Sequence, residues 1–322
     1  MISDKWTDYE VIATASGEKL ERWGNVYLLR PDPQVIWKGK DLKKFDKLNA
    51  HYHRHNTGGG SWEFRKKTPE EWKISYGDLT FLIKPMGFKH VGLFPEQAGN
   101  WDAMRAMVGE KKDVNVLNLF GYTGGATVAL AKQGAKVTHV DAAKAMVDRC
   151  KSNAMLSSVA PDRIRYIVDD CFKFVLREIK RGKKYDAVIM DPPSYGRGPN
   201  GEMWKIEDGL FDLVKLTTQI LSDNPLFYLI NSYTTGLQPA VLDNILALTM
   251  PKGKHKGYEV CLPTDEGIVL PAGASGLWQA EEVSYGRFNR IIRGQPRNSC
   301  GKTAERSVAS GYYGRSRYAD YS

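Results

Sequence analysis

Val114-Asn115-Val116-Leu117-Asn118-Leu119-Phe120-Gly121-Tyr122-Thr123-Gly124-Gly125 is a short apolar run that breaks into a glycine-rich turn just before a helix-forming segment. Such a run fits a buried strand of a parallel sheet, and a turn at its carboxyl end lets backbone come close to a ligand. The same texture continues downstream. Strands are expected over 114–119, 136–140, 163–168, 185–190, 226–230, 258–262 and 267–270, and helices over 125–133, 142–156, 172–180, 207–221 and 239–248. Strands alternating with amphipathic helices predict an α/β fold: a seven-stranded, doubly wound, largely parallel sheet. The last two strands are linked only by 263–266, so they should pair as a hairpin and place one antiparallel strand in the sheet.

Upstream, strand-like pieces over 9–13 and 25–29 are separated by Ser16-Gly17 and Pro31-Asp32-Pro33, which reads as a small β-rich unit. Residues 38–72 interleave Lys38, Lys43, Arg54, Arg65 and Lys67 with Trp37, Tyr52, Trp62, Phe64 and Trp72, around a loop marked by Gly58-Gly59-Gly60. That mixture can grip phosphates and stack on unpaired bases, or be a solvated charge run around core tryptophans. Past Trp278 the periodicity decays into Gly, Ser, Arg and Tyr, which predicts a poorly ordered tail. The expected organisation is therefore 1–90 as the small β-rich domain, 91–278 as the sheet domain and 279–322 as the tail.

The 322 residues carry 46 Lys and Arg against 37 Asp and Glu, a net charge of +9, which makes a polyanionic partner plausible. Four cysteines, Cys150, Cys171, Cys261 and Cys300, show no C-x-x-C spacing, so no disulfide framework and no thiolate zinc site is predicted. The N-terminal stretch does not read as a signal peptide, and no apolar run is long enough to span a bilayer, so a cytoplasmic protein is expected. His51, His53 and His55 would share one face of a strand, but the neighbouring Arg54 and its basic run argue against a metal there.

Four strand ends carry candidate chemistry. Twenty residues beyond Gly121, Asp141 ends the second strand, where a carboxylate can accept from both hydroxyls of a ribose. That pair fits a nicotinamide or an adenosyl cofactor, though the missing G-x-G-x-x-G spacing disfavours an oxidoreductase. Asp170, after the third strand, could accept from an exocyclic adenine amine with Phe172 near the ring, or simply cap the next helix. The fourth strand ends in Asp191-Pro192-Pro193-Ser194-Tyr195-Gly196, where two prolines remove donors and stiffen the turn, leaving the Asp191 carboxylate and Pro192 carbonyl as acceptors.

With these residues the chain resembles the class I S-adenosylmethionine-dependent methyltransferases, and within them the family that includes large-subunit ribosomal RNA base methyltransferases. The resemblance runs from Tyr9 to Trp278 and is strongest over 92–236. It implies that Gln97, in Phe94-Pro95-Glu96-Gln97, contacts S-adenosyl-L-methionine; that Asn118, Phe120, Gly121, Tyr122, Thr123 and Gly124 hold its methionine moiety; that Asp141 holds the ribose; and that Asp170 and the adjoining Cys171 lie at the adenine. Asp191, Pro192 and Ser194 would sit between cofactor and target base, with Pro193, Tyr195 and Tyr233 shaping the base pocket. Members that make 5-methylcytosine carry a cysteine nucleophile after the fifth strand, and the matching segment, Asn231-Ser232-Tyr233-Thr234-Thr235-Gly236, holds Tyr233 instead. Carbon-5 attack needs a thiolate, so the resemblance implies methylation of a base nitrogen in structured RNA. The alternative is an RNA-binding or ribosome-assembly factor with a vestigial cofactor site.

Overall fold

The structure, a computed structural model, describes residues 1–55, 59–197 and 203–281. From residue 282 onward the expected tail and its arginines lie outside the described residues, as does Gly58 of the glycine triplet.

The chain begins with five strands, β1 (Tyr9–Ala15), β2 (Glu18–Trp23), β3 (Val26–Pro31), β4 (Ala50–Arg54) and β5 (Gly60–Phe64), which form one sheet in sequential order. A hairpin of β6 (Trp72–Tyr76) and β7 (Leu79–Ile83) leads to helix α1 (Ala98–Val108), none of which the sequence reading had singled out. Then come β8 (Asn115–Leu119), α2 (Gly125–Lys132), β9 (Lys136–Asp141), α3 (Lys144–Leu156), β10 (Ile164–Val168), α4 (Cys171–Lys180) and β11 (Ala187–Met190). A short ribbon of β12 (Tyr195–Arg197) and β13 (Met203–Lys205) precedes α5 (Ile206–Thr218), β14 (Phe227–Ser232), α6 (Pro239–Thr249), β15 (Gly253–Pro263) and β16 (Val269–Ala280).

The large sheet has the order β10-β9-β8-β11-β14-β16-β15, with only β16 antiparallel to its neighbours. It is the seven-stranded class I methyltransferase sheet. Strand order reverses between β8 and β11, and such a reversal opens a crevice at the carboxyl ends of the strands.

Side-chain alternation assigns the two faces. Val116, Ile189, Phe227 and Leu229 point into a core shared with α1, α2, α3 and the small sheet, where Trp23, Leu28 and Phe81 are fully buried. Leu117, Val188, Tyr228 and Ile230 point the other way, onto Phe174 of α4, Leu213 of α5 and Leu242 of α6. Strands buried on both faces read as continuous apolar runs, which is why 114–119 and 185–190 were legible.

The last two strands are far longer than 258–262 and 267–270. Glycines diluted their apolar signal, and the packing explains those glycines. A Cβ on Gly257 would collide with the carbonyl of Pro239, and one on Gly276 would stand 2.8 Å from Cβ of Leu242, so α6 can lie flat on the hairpin only over bare backbone. The tryptophans of the N-terminal unit are structural. Trp62 Nε1 donates to the Met86 carbonyl at 2.8 Å, and Trp72 Nε1 to the Trp23 carbonyl at 2.9 Å. Among the described residues no helix is long and apolar enough to cross a membrane.

Candidate active site

The turn after β8 is held by backbone strain and by packing. Phe120 and Tyr122 adopt φ of 56° and 51°, and Gly124 takes 87°. Added methyl groups at Gly121 and Gly124 would collide with His139 and Cys150, and one at Gly125 would lie 2.6 Å from Cζ2 of Trp101. These glycines therefore let the turn sink onto its own scaffold. Asn153, fully buried, accepts from Leu82 N at 2.9 Å and donates to the Thr123 carbonyl at 2.9 Å, while Thr123 Oγ1 donates to the Gly92 carbonyl at 2.6 Å. The turn is thus riveted to the segment after β7.

Asp141, at the end of β9, accepts from Tyr122 N through Oδ2 at 2.9 Å and from Ala143 N through Oδ1 at 2.8 Å. Each oxygen keeps a lone pair, and the pair of anchors fixes the orientation of the carboxylate. Asp170 is the N-cap of α4, its Oδ1 accepting from Lys173 N at 2.8 Å, so one of its oxygens is committed to the helix. Cys171 is buried and its sulfur accepts from Phe120 N at 3.3 Å, so it supports the turn from behind. Phe172 is 37% exposed and is no core residue.

Gln97, Asn118, Phe120, Gly121, Tyr122, Thr123 and Asp191 line one cleft, together with Phe94, Trp101 and Asn231. Gly124, Asp141, Asp170, Cys171, Pro192, Pro193, Ser194, Tyr195 and Tyr233 do not line it. Asp141 is coupled to it through Tyr122, Cys171 through Phe120 and Tyr233 through Gln97. The outer segment is tied down separately: Ser194 Oγ pairs with Thr234 Oγ1 at 2.6 Å, and Trp204 Nε1 donates to the Pro193 carbonyl at 2.6 Å. Tyr195 is 48% exposed.

Gln97 Nε2 donates to the Tyr233 hydroxyl at 2.7 Å, and the Tyr233 ring lies on Phe94 with centroids 5.1 Å apart and planes at 31°. Tyr233 also shares a hydrogen bond with Glu96, a buried carboxylate whose pKa burial raises. Asp191 is pushed up to about 7, first by burial and then by the charge of Glu96. Behind them, Asn100 Nδ2 donates to Gln97 Oε1 at 2.8 Å and to Ser275 Oγ at 3.0 Å, and its Oδ1 accepts from Tyr258 at 2.7 Å. This network locks the first turn of α1 against β14 and β16. Sequence reasoning passed over Glu96 and Asn100, because a polar residue at the start of an unrecognised helix carries no periodic signal. Glu96 stood in plain view beside Gln97.

His51 and His53 do share a face of β4, with rings 3.9 Å apart, and their ligating atoms lie within 4.8 Å of one another and of a carboxylate oxygen of Glu63. Each already has a carboxylate partner, His51 with Glu18 at 2.5 Å and His53 with Glu63 at 2.7 Å. His55 lies beyond the strand and pairs with Ser61 at 3.2 Å.

The residues fit an adenosyl sulfonium: fixed diol acceptors at Asp141, a second carboxylate at Asp170, backbone of the turn, and a cleft walled by Phe94, Trp101 and Tyr122. Comparison with known proteins agrees. A family model described as S-adenosylmethionine-dependent methyltransferase matches residues 46–236. The crystal structure of a SAM-dependent methyltransferase from Agrobacterium tumefaciens superposes with a TM-score of 0.81 at 31% identity, covering 87% of this chain and 94% of that one. Ribosomal RNA large subunit methyltransferase K/L of Syntrophotalea carbinolica is 25% identical over 62% of this chain and 28% of its own length. Ribosomal RNA large subunit methyltransferase K of Neisseria meningitidis is 23% identical over 71% of this chain and 65% of its own. The chain spans less than two thirds of either relative.

Proposed function

The chain belongs to the S-adenosylmethionine-dependent methyltransferase family, and from that premise we propose that it methylates a base nitrogen in structured RNA, ribosomal RNA in the first instance, in the cytoplasm. The RNA reading is supported by the net charge of +9 and by the names of the relatives, both ribosomal RNA large subunit methyltransferases.

When bound, S-adenosylmethionine supplies an electrophilic methyl on sulfur. The turn from Asn118 to Gly124 and Gln97 would hold the cofactor, with the Asp141 carboxylate, fixed on Tyr122 N, available to its ribose and Asp170 to its adenine. The Phe94 ring, backed by Tyr233, would give the target base an aromatic surface beside Asp191. Holding both reactants at near-attack distance supplies roughly 7–11 kcal/mol of the barrier. An amine nitrogen must also lose a proton as it gains the methyl group, and Asp191, titrating at about 7, is a stronger base than an ordinary carboxylate.

The observation that carries nitrogen over carbon is the absence of a thiol. No cysteine among the described residues lines the cleft. Cys150 and Cys171, which pack against the turn, are buried and burial raises both thiols, Cys171 to about 12, so neither is a nucleophile at neutral pH. The test is nucleoside mass spectrometry of large-subunit RNA from cells lacking the gene, before and after treatment with enzyme and cofactor. An N-methylated base is expected. Methylation at C5 of a pyrimidine, or no incorporation, overturns the proposal. Asp191→Asn should cut turnover by about 10²–10⁴-fold while calorimetric cofactor affinity stays within a few-fold.

A further inference from the structure

Residues 84–91 form a tight hairpin, closed by Lys84 N to the Val91 carbonyl at 3.0 Å and Met86 N to the His90 carbonyl at 3.3 Å. Phe88 stands 61% exposed at its tip. At its base the His90 ring touches Phe94 at 5.2 Å, and Phe94 is the ring that carries Tyr233. The hairpin therefore projects from one wall of the cleft.

Beneath it lies a concentration of positive charge. Arg30 donates to the Lys89 carbonyl at 2.9 Å and forks onto Glu21 at 2.6 and 2.8 Å, and Lys19 pairs with Asp32 at 3.2 Å. Those carboxylates are occupied. Lys89 and Arg54 have no ion pair of their own among the described residues, although both act on the same neighbourhood, which contains Lys19, Arg30, Asp32 and His90. His90 is held neutral, pushed down to about 3 by burial and by these cations. Lys89 is lowered to about 8, by burial first and then by Lys19, Arg30 and Arg54. A half-buried ammonium crowded by like charges is relieved by an anion that reaches it.

We propose that Lys89, on the hairpin beside the cleft, forms a phosphodiester-binding subsite for the RNA strand whose base enters the cleft, with Phe88 stacking on an adjacent base. This rests on the RNA reading above. An exposed aromatic next to unneutralised cations is the pairing that holds single-stranded nucleic acid, because the ring takes any base and the cations take the backbone.

Fluorescence anisotropy with a labelled single-stranded RNA of mixed sequence, titrated at several salt concentrations, separates the two contributions. Lys89→Gln should weaken binding by roughly tenfold and flatten the slope of log affinity against log salt by about 0.7. Phe88→Ala should weaken binding by roughly fivefold or more with the slope unchanged. Neither should alter cofactor affinity by calorimetry, and circular dichroism should match the parent. If the parent binds RNA and both variants keep its affinity and slope, the subsite is wrong and the RNA reading survives. If the parent itself fails to bind RNA at low salt, the RNA reading falls and the subsite with it.

Discussion

Asp191 titrates near 7 because it is buried and because Glu96 shares its surroundings. A carboxyl whose folded pKa is raised contributes stability below its ordinary ~3.9 that is lost as pH climbs through the folded value. Ionised Asp191 thus destabilises the cofactor-free protein at pH 8 by at most ~4 kcal/mol, an upper bound because the cleft leaves it partly exposed. Asp191→Asn should raise the melting temperature at pH 8 and leave it unchanged near pH 4. In turnover, the rate should rise with pH through about 7 as Asp191 ionises. Glu96→Gln removes the second cause, so that limb should move to lower pH while cofactor affinity holds. A limb that stays in place would show that Glu96 does not act on Asp191. At this scale the sequence was legible where a residue ended a strand, as with Asp141, Asp170 and Asp191. It named the helix-capping duty of Asp170 as one of two readings, because an N-cap is local to its own helix, but it was silent about Glu96, whose effect depends on the Asp191 that another element brings alongside.

Among elements, the turn after β8 and the long terminal hairpin teach opposite lessons. The turn was recognisable because its glycines interrupt a strand-to-helix passage, but the sequence did not show that they are also required by contact with His139, Cys150 and Trp101. Asn153, which carries no motif signal, proves to be the rivet of the turn. Asn153→Ala would leave Leu82 N and the Thr123 carbonyl buried without partners, at about 1–3 kcal/mol each, and should weaken cofactor binding in step with stability. Titration calorimetry alongside denaturant melts would check this. In β15 and β16 the glycines hid the strands because they exist to admit α6. Gly257→Ala should therefore destabilise by about 1–3 kcal/mol through overpacking, measured by urea midpoint. An unchanged midpoint would mean that α6 shifts freely.

Across the whole molecule, the small sheet and the large one share one apolar interior: Trp23 and Leu28 belong to the same buried cluster as Val116 and Phe227. Sequence periodicity identifies each sheet from within, but carries no information about which faces meet, so the N-terminal unit read as separate. A shared interior predicts a single calorimetric transition for the described residues. Trp23→Ala should lower it as a whole, by about 3–5 kcal/mol. Two resolved transitions would show that the units melt apart. Lastly, Cys150 sits against Gly124 and Cys171 beneath Phe120, both sealed under the cofactor turn. Their alkylation by iodoacetamide therefore has to wait for that turn to lift. Labelling at these two positions, read by peptide mass, becomes a native clock for opening, and a saturating nucleoside ligand should slow it.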